Sequence, residues 1–455
     1  MNAEKIIAIA KREHNTKRSF LVVNRYQGKH VPISPDKPFQ MFSALADLTA
    51  ERYRGERLLL IGFAETATAI GETLAVRLDT DYMQTTRENL PGAEYLYFSE
   101  SHSHAAEQRV VKNDLDQVIA QTDRIVFVED EVTTGNTIGK IVRLIRQTYG
   151  KKLNFAAASL LNGMDEEARA RYQTEQIDLV YLVKTDHSGY SEIAETYIND
   201  GSYYECVSFG GNGAFSHEDL HAGKNGFISR EGLHAGKNGF ISREDLHAGK
   251  NRSLNIEESE KNPWELKAKE IMVSGFINAR RLHKGREYQK ACKNLWRQLK
   301  ERISFGEGKN ILVLGTEEFM YAPLYVAQNI QEMRNCVKCH ATTRSPIMVS
   351  KHQEYPLHER YELASFYEKA RTTYVYDLDA YDLVLILTDA EPGENGLELE
   401  QPDAESVRSD SASEQPGAEP GKNGLGLEQP GAVSLSRALY SCGNREIYLV
   451  RWCEN

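Results

Sequence analysis

The chain has 455 residues, of which 40% are hydrophobic and 9% aromatic, so it is long enough for two or three domains with apolar cores. Its 55 Lys and Arg against 66 Asp and Glu give a formal charge of −11, which argues against bulk electrostatic binding to nucleic acid or to an anionic membrane. No apolar run approaches the length of a signal-peptide core or a membrane span. Six cysteines are ordinary cytosolic usage, and we therefore expect a cytoplasmic protein.

Strand and helix patterns alternate in residues 1–205, which we interpret as the first domain. Strands are predicted at 57–63, 81–86, 95–98, 124–128, 153–161 and 177–183. Helical patterns follow the first strand to about residue 78 and cover Thr137–Tyr149. Repeated strand–helix units predict an α/β fold, with a mostly parallel sheet that is flanked by helices and binds ligands at the carboxyl ends of its strands.

Residues 206–261 are predicted to be a disordered, repeat-bearing insertion or linker. The thirteen residues that begin at Leu220 recur at Leu233 and start again at Leu246. Units this short, rich in Gly, Asn, Lys and Ser, cannot bury a core in so few copies.

A second α/β domain is predicted over residues 262–455. Helical stretches at roughly 264–283 and 286–303 are followed by a strand at 310–314 that leads into another helix, and by strands near 345–350, 372–376, 382–388 and 446–451. Residues 389–433 form a second, acidic low-complexity insertion, which we also predict to be disordered. It has eleven acids and two bases, a net charge of −9, which leaves −2 for the rest of the chain.

The most informative stretch is RIVFVEDEVTTGNTIGKIVRLI, residues 124–145, which has the pattern of a strand, an acidic pair, a Thr/Gly loop and a helix. A helix that starts directly after a strand presents unpaired backbone N–H groups, which favour a phosphate. Glu129 and Asp130 would repel a phosphate and are better suited to accept hydrogen bonds from sugar hydroxyls beside it. The alternative is a capped helix with an incidental acidic pair. The candidate phosphate ligands are Thr133, Thr134, Gly135, Asn136 and Thr137.

EDEVTTGNT, residues 129–137, resembles the phosphoribosyl-pyrophosphate (PRPP) signature of type I phosphoribosyltransferases. The resemblance implies PRPP as a substrate and Mg²⁺ as cofactor, held by Glu129 and Asp130, directly or through ribose hydroxyls or water. Glu131 departs from the signature, which usually has an apolar residue there; it could add a magnesium contact or face solvent. In this family the loop within IGFAETATAIG holds pyrophosphate, which implicates Ala64, Glu65, Thr66 and Ala67.

Further candidates lie outside these two loops. Arg87 suits the leaving pyrophosphate, because its planar guanidinium matches phosphate oxygens. His102 and His104 of the ESHSHA segment would point the same way on an extended chain and could act on a substrate or close over the site as part of a lid. Lys29 and His30 either form the solvated basic tip of a hairpin or bind substrate, and the sequence leaves both interpretations open.

HATTRSPI, residues 340–347, carries the letters TRSP. Together with GFAETAT, TTRE and ESHSHA, it makes the chain resemble an orotate-phosphoribosyltransferase-like bacterial family with a C-terminal TRSP domain, found in tellurite-resistance and stress-associated gene clusters. The resemblance implies transfer of phosphoribosyl to an unknown base-like acceptor, with catalytic roles for Glu129, Asp130, Arg87, His102 and His104. The alternative is a non-catalytic, PRPP-sensing regulatory module. A homodimer is a possible oligomeric state, which the sequence does not decide.

The two domains share an order of motifs. NILVLGTEEFMYAPLYVA matches RLLLIGFAETATAIGETLA in pattern, TTRSP matches TTREN, and LVLILTDAEPG matches IVFVEDEVTTG. We hypothesise that the second domain is a degenerate copy of the first; the alternative is convergence of two strand–helix patterns. Cys336-Val337-Lys338-Cys339-His340 matches a haem-attachment pattern literally, but a strand end before the TTRSP loop is the simpler interpretation.

Overall fold

The computed structural model describes residues 3–13, 18–98, 108–150, 152–207, 268–392 and 429–454. The helices of the first half are α1 (Ala3–Ile6), α2 (Asp36–Arg52), α3 (Thr68–Leu78), α4 (Lys112–Val118), α5 (Asn136–Tyr149), α6 (Glu166–Thr174) and α7 (Tyr190–Thr196), with a 3₁₀ turn over Ile119–Gln121. Its strands are β1 (Ile7–Lys11), β2 (Phe20–Asn24), β3 (Leu58–Gly62), β4 (Asp81–Gln84), β5 (Tyr95–Tyr97), β6 (Arg109–Val111), β7 (Arg124–Val132), β8 (Asn154–Asn162), β9 (Ile177–Lys184) and β10 (Ser202–Glu205).

The second half, described from residue 268 onward, is built in the same way. Its helices are α8 (Gly285–Arg302), α9 (Tyr321–Glu332) and α10 (Pro430–Ser441). Its strands are β11 (Lys269–Ser274), β12 (His283–Lys284), β13 (Asn310–Gly315), β14 (Cys336–Ala341), β15 (Glu359–Ala364), β16 (Thr372–Tyr376), β17 (Leu383–Thr388) and β18 (Ile447–Cys453).

Each half has a central, largely parallel sheet. The first sheet has the order β12-β4-β3-β7-β8-β9, and every pairing in it is parallel except that of β12 with β4. The second has the order β11-β18-β17-β13-β14 and is parallel throughout. Strands β3, β13 and β17 are buried along almost their whole length, as expected for parallel strands covered by helices on both faces. The predicted α/β fold with a second α/β unit is confirmed.

The two halves are interwoven rather than merely tethered. Strand β12 of the second half completes the first sheet, and β10 of the first half pairs with β15 in a three-stranded sheet, β10-β15-β16. Helix α3 packs against α8 and α9, and a single apolar cluster contains residues of both halves. The predicted domain boundaries stay a prediction.

Two secondary-structure predictions for the second half were wrong. Residues 269–274, placed in a helix at 264–283, form strand β11 and pair with the edge strand β18. Residues 345–350, predicted as a strand, are a loop in which Ile347 forms a bridge with Arg12, and strand β15 was not predicted.

The two predicted insertions, 206–261 and 389–433, fall mainly outside the described residues. Within the second, however, residues 389–392 and 429–433 are described, and α10 begins there, at Pro430. Across the described parts of the chain, no helix has the length and apolarity needed to cross a bilayer.

Candidate functional site

The acidic pair lies at the carboxyl end of β7, as predicted, although the strand continues through it to Val132 instead of ending at Val128. The ladder with β8 pairs Glu129 with Ser159 and continues beyond the acids. Because side chains alternate along a strand, Glu129 and Asp130 point to opposite faces of the sheet. The two carboxylates therefore bracket the strand end instead of lying side by side.

These two carboxylates have few partners inside the protein. Asp130 accepts a hydrogen bond from Thr66 Oγ1 at 2.8 Å, and the side chain of Glu129 has neither a hydrogen bond nor an ion pair with any described residue. Burial, with the neighbouring charges of Asp130 and Glu131, raises the pKa of Glu129 well above its ordinary value. Burial also raises the pKa of Asp130. Carboxylates left without an internal cation are suited to a ligand that supplies hydroxyl donors or positive charge.

Glu131 is held by the protein. Arg18 Nη2 lies 2.7 Å from one of its oxygens and His187 Nε2 lies 3.2 Å from the other. The Arg18 guanidinium also stacks 4.4 Å from the centre of the Phe20 ring. Of the two alternatives for this residue, the solvent-facing one is therefore wrong, because its side chain is 10% exposed and its carboxylate is already paired with Arg18.

The loop of residues 133–137 joins β7 to α5 and places the five predicted phosphate ligands at the start of that helix. Gly135 is the N-cap and has a φ of +66°, and its carbonyl accepts a hydrogen bond from the Tyr172 hydroxyl at 2.9 Å. Arg171 donates to the carbonyl of Thr134. The loop is thus supported from below by α6, while the first amides of a 14-residue helix face outward with the positive end of its dipole.

The second predicted loop, residues 64–67, joins β3 to α3, and its peptide bond between Ala64 and Glu65 is cis. Ala64 N donates to Thr85 Oγ1 at 2.8 Å, which fixes the loop to the end of β4. Through the contact of Thr66 with Asp130, the same loop touches the acidic pair. The 64–67 loop, the acids and the 133–137 loop therefore meet at one edge of the first sheet.

Lys29 and His30 are not at a solvated tip. Lys29 is 0% exposed and His30 is 4% exposed. Lys29 Nζ donates to the carbonyls of Glu317 and Thr342, both at 2.7 Å, and forms an ion pair with Glu65. Lys29 thus connects the 64–67 loop to the second half, and a direct contact with substrate stays a prediction.

Arg87 follows β4 and lies beside the 64–67 loop. Its backbone N–H donates to Glu318 Oε1 at 3.2 Å, but no described carboxylate lies within ion-pairing distance of its guanidinium, and its Nε has no partner. Burial and the nearby charge of Arg344 lower the pKa of Arg87. A partly buried guanidinium without an anion beside it fits the predicted role with pyrophosphate.

Two other predictions have different outcomes. Glu100, His102 and His104 lie outside the described residues. Cys339 and His340 are buried in β14, where His340 Nε2 lies 2.9 Å from the carbonyl of Tyr376, so the 336–340 pattern is a strand. No group of three His, Cys, Asp or Glu side chains among the described residues is placed to hold a metal ion.

The sequence did not predict a buried ion network that the second half brings to this site. Arg344 of the TTRSP loop contacts four carboxylates, at 2.7 Å (Glu318), 2.8 Å (Glu317), 3.1 Å (Glu88) and 3.5 Å (Glu65). Arg371 contacts Glu88 and Glu317. The TTRSP motif was the only available signal, because the pairs join residues that are far apart in the chain.

Residues 6–186 match the family model described as phosphoribosyl transferase, and residues 280–401 match the one described as TRSP domain C terminus to PRTase_2. An adenine phosphoribosyltransferase from Acidobacterium capsulatum is 28% identical over 123 residues, which are 27% of this chain and 66% of that protein. The chain therefore spans slightly less than two thirds of that relative.

Solved structures with similarity to the chain include two transferases. The adenine phosphoribosyl transferase from Trypanosoma brucei, in complex with AMP, pyrophosphate and ribose-5-phosphate, has a TM-score of 0.31 and 14% identity and covers 48% of this chain and 89% of that one. For the orotate phosphoribosyltransferase from Aeropyrum pernix the TM-score is 0.28 and the identity 17%, covering 42% of this chain and 92% of that one.

Proposed function

Because the chain is a member of the phosphoribosyltransferase family with a C-terminal TRSP domain, we propose that it transfers the phosphoribosyl group of PRPP to a base-like acceptor and releases pyrophosphate. The observation that carries the proposal is a set of unsatisfied charges at one edge of the first sheet. Among the described residues, the Glu129 carboxylate has no hydrogen-bonding or ion-pairing partner and the Arg87 guanidinium has no anion within ion-pairing distance, and the amides at the start of α5 follow directly after β7.

Each part of PRPP has a chemically matched group there. The 5′-phosphate binds the amides and hydroxyls of the 133–137 loop, and the ribose hydroxyls donate to Glu129 and Asp130. The pyrophosphate lies against the 64–67 loop and Arg87. The acceptor nitrogen forms a bond to C1 as the C1–O bond to pyrophosphate breaks, so that positive charge develops on the ribose ring near the two carboxylates. Catalysis is then chiefly positioning and electrostatic stabilisation.

Magnesium fits these residues. Mg²⁺ prefers oxygen ligands, keeps several waters and is usually bound through one or two carboxylates together with substrate phosphates, so a ready-made cluster of three ligands is not required. Glu129 and Asp130 are the carboxylates that would hold it, directly or through ribose hydroxyls or water. When bound, the ion neutralises charge on the leaving pyrophosphate.

The test is pyrophosphate release from PRPP with Mg²⁺ and a panel of purines, pyrimidines and carboxylated heterocycles, together with calorimetric binding of PRPP. Asp130→Asn keeps the shape of the side chain but removes its charge, and we expect PRPP affinity to fall about tenfold or more. Asp116→Asn is the matched control, because Asp116 is in the same half and pairs with Lys112 on an exposed face. Equal affinities for the wild type and Asp130→Asn would refute the assignment of the site.

The same experiment separates the two candidate functions. Binding of PRPP without turnover for any acceptor would favour the non-catalytic, PRPP-sensing module. The acceptor stays open, and a place in stress- or tellurite-associated biosynthesis of a nucleoside-like compound is the finer form of the proposal. The cytoplasmic location also stays a prediction.

A further inference from the structure

We infer that the two halves are copies of one fold, related by an approximate two-fold axis, and that Arg344 of the second copy is a positioning residue for the pyrophosphate-binding groups of the first. The inference deepens the proposed function and rests on it. It is carried by the topology, by matched hydrogen bonds and by an asymmetry in ion pairing.

The topologies of the two sheets correspond strand by strand. The order β4-β3-β7-β8-β9 in the first sheet is repeated as β14-β13-β17-β18-β11 in the second. The one difference is that the last strand, β11, precedes the others in the chain instead of following them. All these neighbouring pairs are parallel in both sheets.

The registers and hydrogen bonds correspond as well. Gly62 pairs with Val128 across β3 and β7, and Gly315 pairs with Leu387 across β13 and β17. The helix that follows starts six residues after the glycine in each copy, at Thr68 and at Tyr321. These repeated registers are difficult to attribute to convergence of a simple strand–helix pattern.

Three hydrogen bonds at the ends of these strands recur at equivalent positions. In the first pair, Thr85 N donates to Gly62 O at 2.9 Å and Thr342 N donates to Gly315 O at 3.0 Å. In the second pair, Ala64 N donates to Thr85 Oγ1 at 2.8 Å and Glu317 N donates to Thr342 Oγ1 at 3.0 Å. In the third pair, Arg57 N donates to Asp123 Oδ2 at 2.9 Å and Asn310 N donates to Asp382 Oδ2 at 2.8 Å. The alignment makes Arg344 the equivalent of Arg87 and Glu318 the equivalent of Glu65.

The contact between the copies is reciprocal. Arg87 N donates to Glu318 Oε1 at 3.2 Å, and Arg344 N donates to Glu65 Oε2 at 3.2 Å. Each copy therefore supplies its loop glutamate to the backbone of the other copy's Thr-Thr-Arg segment. In an isologous contact, residue i of one copy touches residue j of the other and the converse also holds, and this pair has that property.

The side chains break this symmetry. The Arg344 guanidinium contacts four carboxylates, whereas that of Arg87 contacts none among the described residues. Asp389, the equivalent of Asp130, accepts hydrogen bonds from Arg280 Nη1 and from the Tyr367 hydroxyl, both at 2.5 Å. The second copy thus pairs the charges of Arg344 and Asp389 within the protein, whereas the Arg87 guanidinium of the first copy has no such partner among the described residues.

Arg344 joins the two groups that we assign to pyrophosphate. One of its contacts is Glu65, in the 64–67 loop, and another is Glu88, directly after Arg87. The planar guanidinium fixes the distance between the loop and the Arg87 segment, which a flexible ammonium would not do. Misplacement of a binding group by about 1 Å can reduce function by roughly a hundredfold.

The test compares calorimetric binding of pyrophosphate and of ribose 5-phosphate, each with Mg²⁺, to the full chain. Arg344→Lys keeps the charge but loses the fork; we expect pyrophosphate affinity to fall roughly ten- to a hundredfold while ribose 5-phosphate affinity changes less than about twofold. Arg281→Lys is the control, because it weakens another contact between the halves, with Asp114 at 2.6 Å, and no ion pair joins Arg281 to Glu65 or Glu88. It should change neither affinity.

A parallel fall in both affinities for Arg344→Lys, or no fall in either, would overturn the inference. If Arg344→Lys does not fold, Glu88→Gln replaces it and should lower pyrophosphate affinity with ribose 5-phosphate affinity retained. A wild-type chain that binds neither probe would reject the proposed function itself, and with it this inference.

Discussion

Gly135 and Gly150 border the two ends of α5, and a comparison of alanine substitutions at them isolates the steric constraint on the 133–137 loop. Both glycines have a positive φ, +66° and +57°, so an alanine costs about 1–2 kcal/mol of backbone strain at either position. A Cβ on Gly135 would lie 2.4 Å from the Tyr172 hydroxyl and 2.5 Å from the Met164 methyl, whereas a Cβ on Gly150 would have no atom of the described residues within 4 Å. Crowding at Gly135 adds about 1–3 kcal/mol.

We therefore expect Gly135→Ala to be destabilised by about 2–5 kcal/mol and Gly150→Ala by about 1–2 kcal/mol. The assay is thermal unfolding, with the two variants compared with each other because a chain of two halves need not unfold in one step. Calorimetric binding of ribose 5-phosphate gives the functional readout, and only Gly135→Ala should lose affinity. Equal melting temperatures for the two variants would show that Tyr172 and Met164 move aside freely, and the steric reasoning would be wrong.

Two further predictions concern buried charges. Lys29→Met removes a fully buried ammonium from two carbonyls and from Glu65, so we expect the free energy of unfolding, measured with denaturant, to fall by about 3–5 kcal/mol. Lys37→Met is the control, because the Lys37 side chain is 41% exposed, and its free energy of unfolding should stay within about 0.5 kcal/mol of the wild type. A similar effect of both substitutions would contradict the structure. For His283, burial alone would lower the pKa, but Glu72, 3.0 Å away, raises it above the ordinary value of 6.5. The stabilisation is therefore present below that value and is lost as pH rises through the raised folded pKa, so the melting temperature should fall as pH rises above about 6.5, and more in the wild type than in His283→Gln.

The local pattern of the sequence predicted the elements that hold the 133–137 loop. The predicted helix Thr137–Tyr149 differs from α5 by one residue, since its apolar residues recur at helical spacing and glycines border both ends. The preceding strand was predicted too short because three acids interrupt its apolar run, although the backbone ladder with β8 continues through them. Where the local sequence pattern alone determines an element, as for α5, the sequence was sufficient to predict it.

Elements and contacts that depend on distant partners could not be predicted in this way. Strand β11 buries only Val273, so it lacks the alternation of buried and exposed residues that distinguishes a strand. Its partner, β18, begins more than 170 residues later in the chain. Lys29 is similar, because its three contacts are with Glu65 of the 64–67 loop and with the carbonyls of Glu317 and Thr342 in the second half, all distant from it in the chain. A basic residue beside a turn suggests a solvated side chain unless these partners are known.

Joining the two copies in one chain explains how they came to differ. In an isologous homodimer every substitution appears in both subunits, so pairing the Arg344 guanidinium with carboxylates would pair that of Arg87 as well, although Arg87 has no such partner among the described residues. A single chain escapes this constraint, since each copy has its own sequence and the linkage keeps the partner at a high effective concentration. The second copy can then satisfy its buried charges within the protein, where leaving them unpaired would be costly, and support the open site of the first. By this argument, the TTRSP loop keeps the backbone geometry of a ligand-binding loop. Its Arg344 side chain, however, pairs with four glutamates of the protein instead of with an anionic ligand.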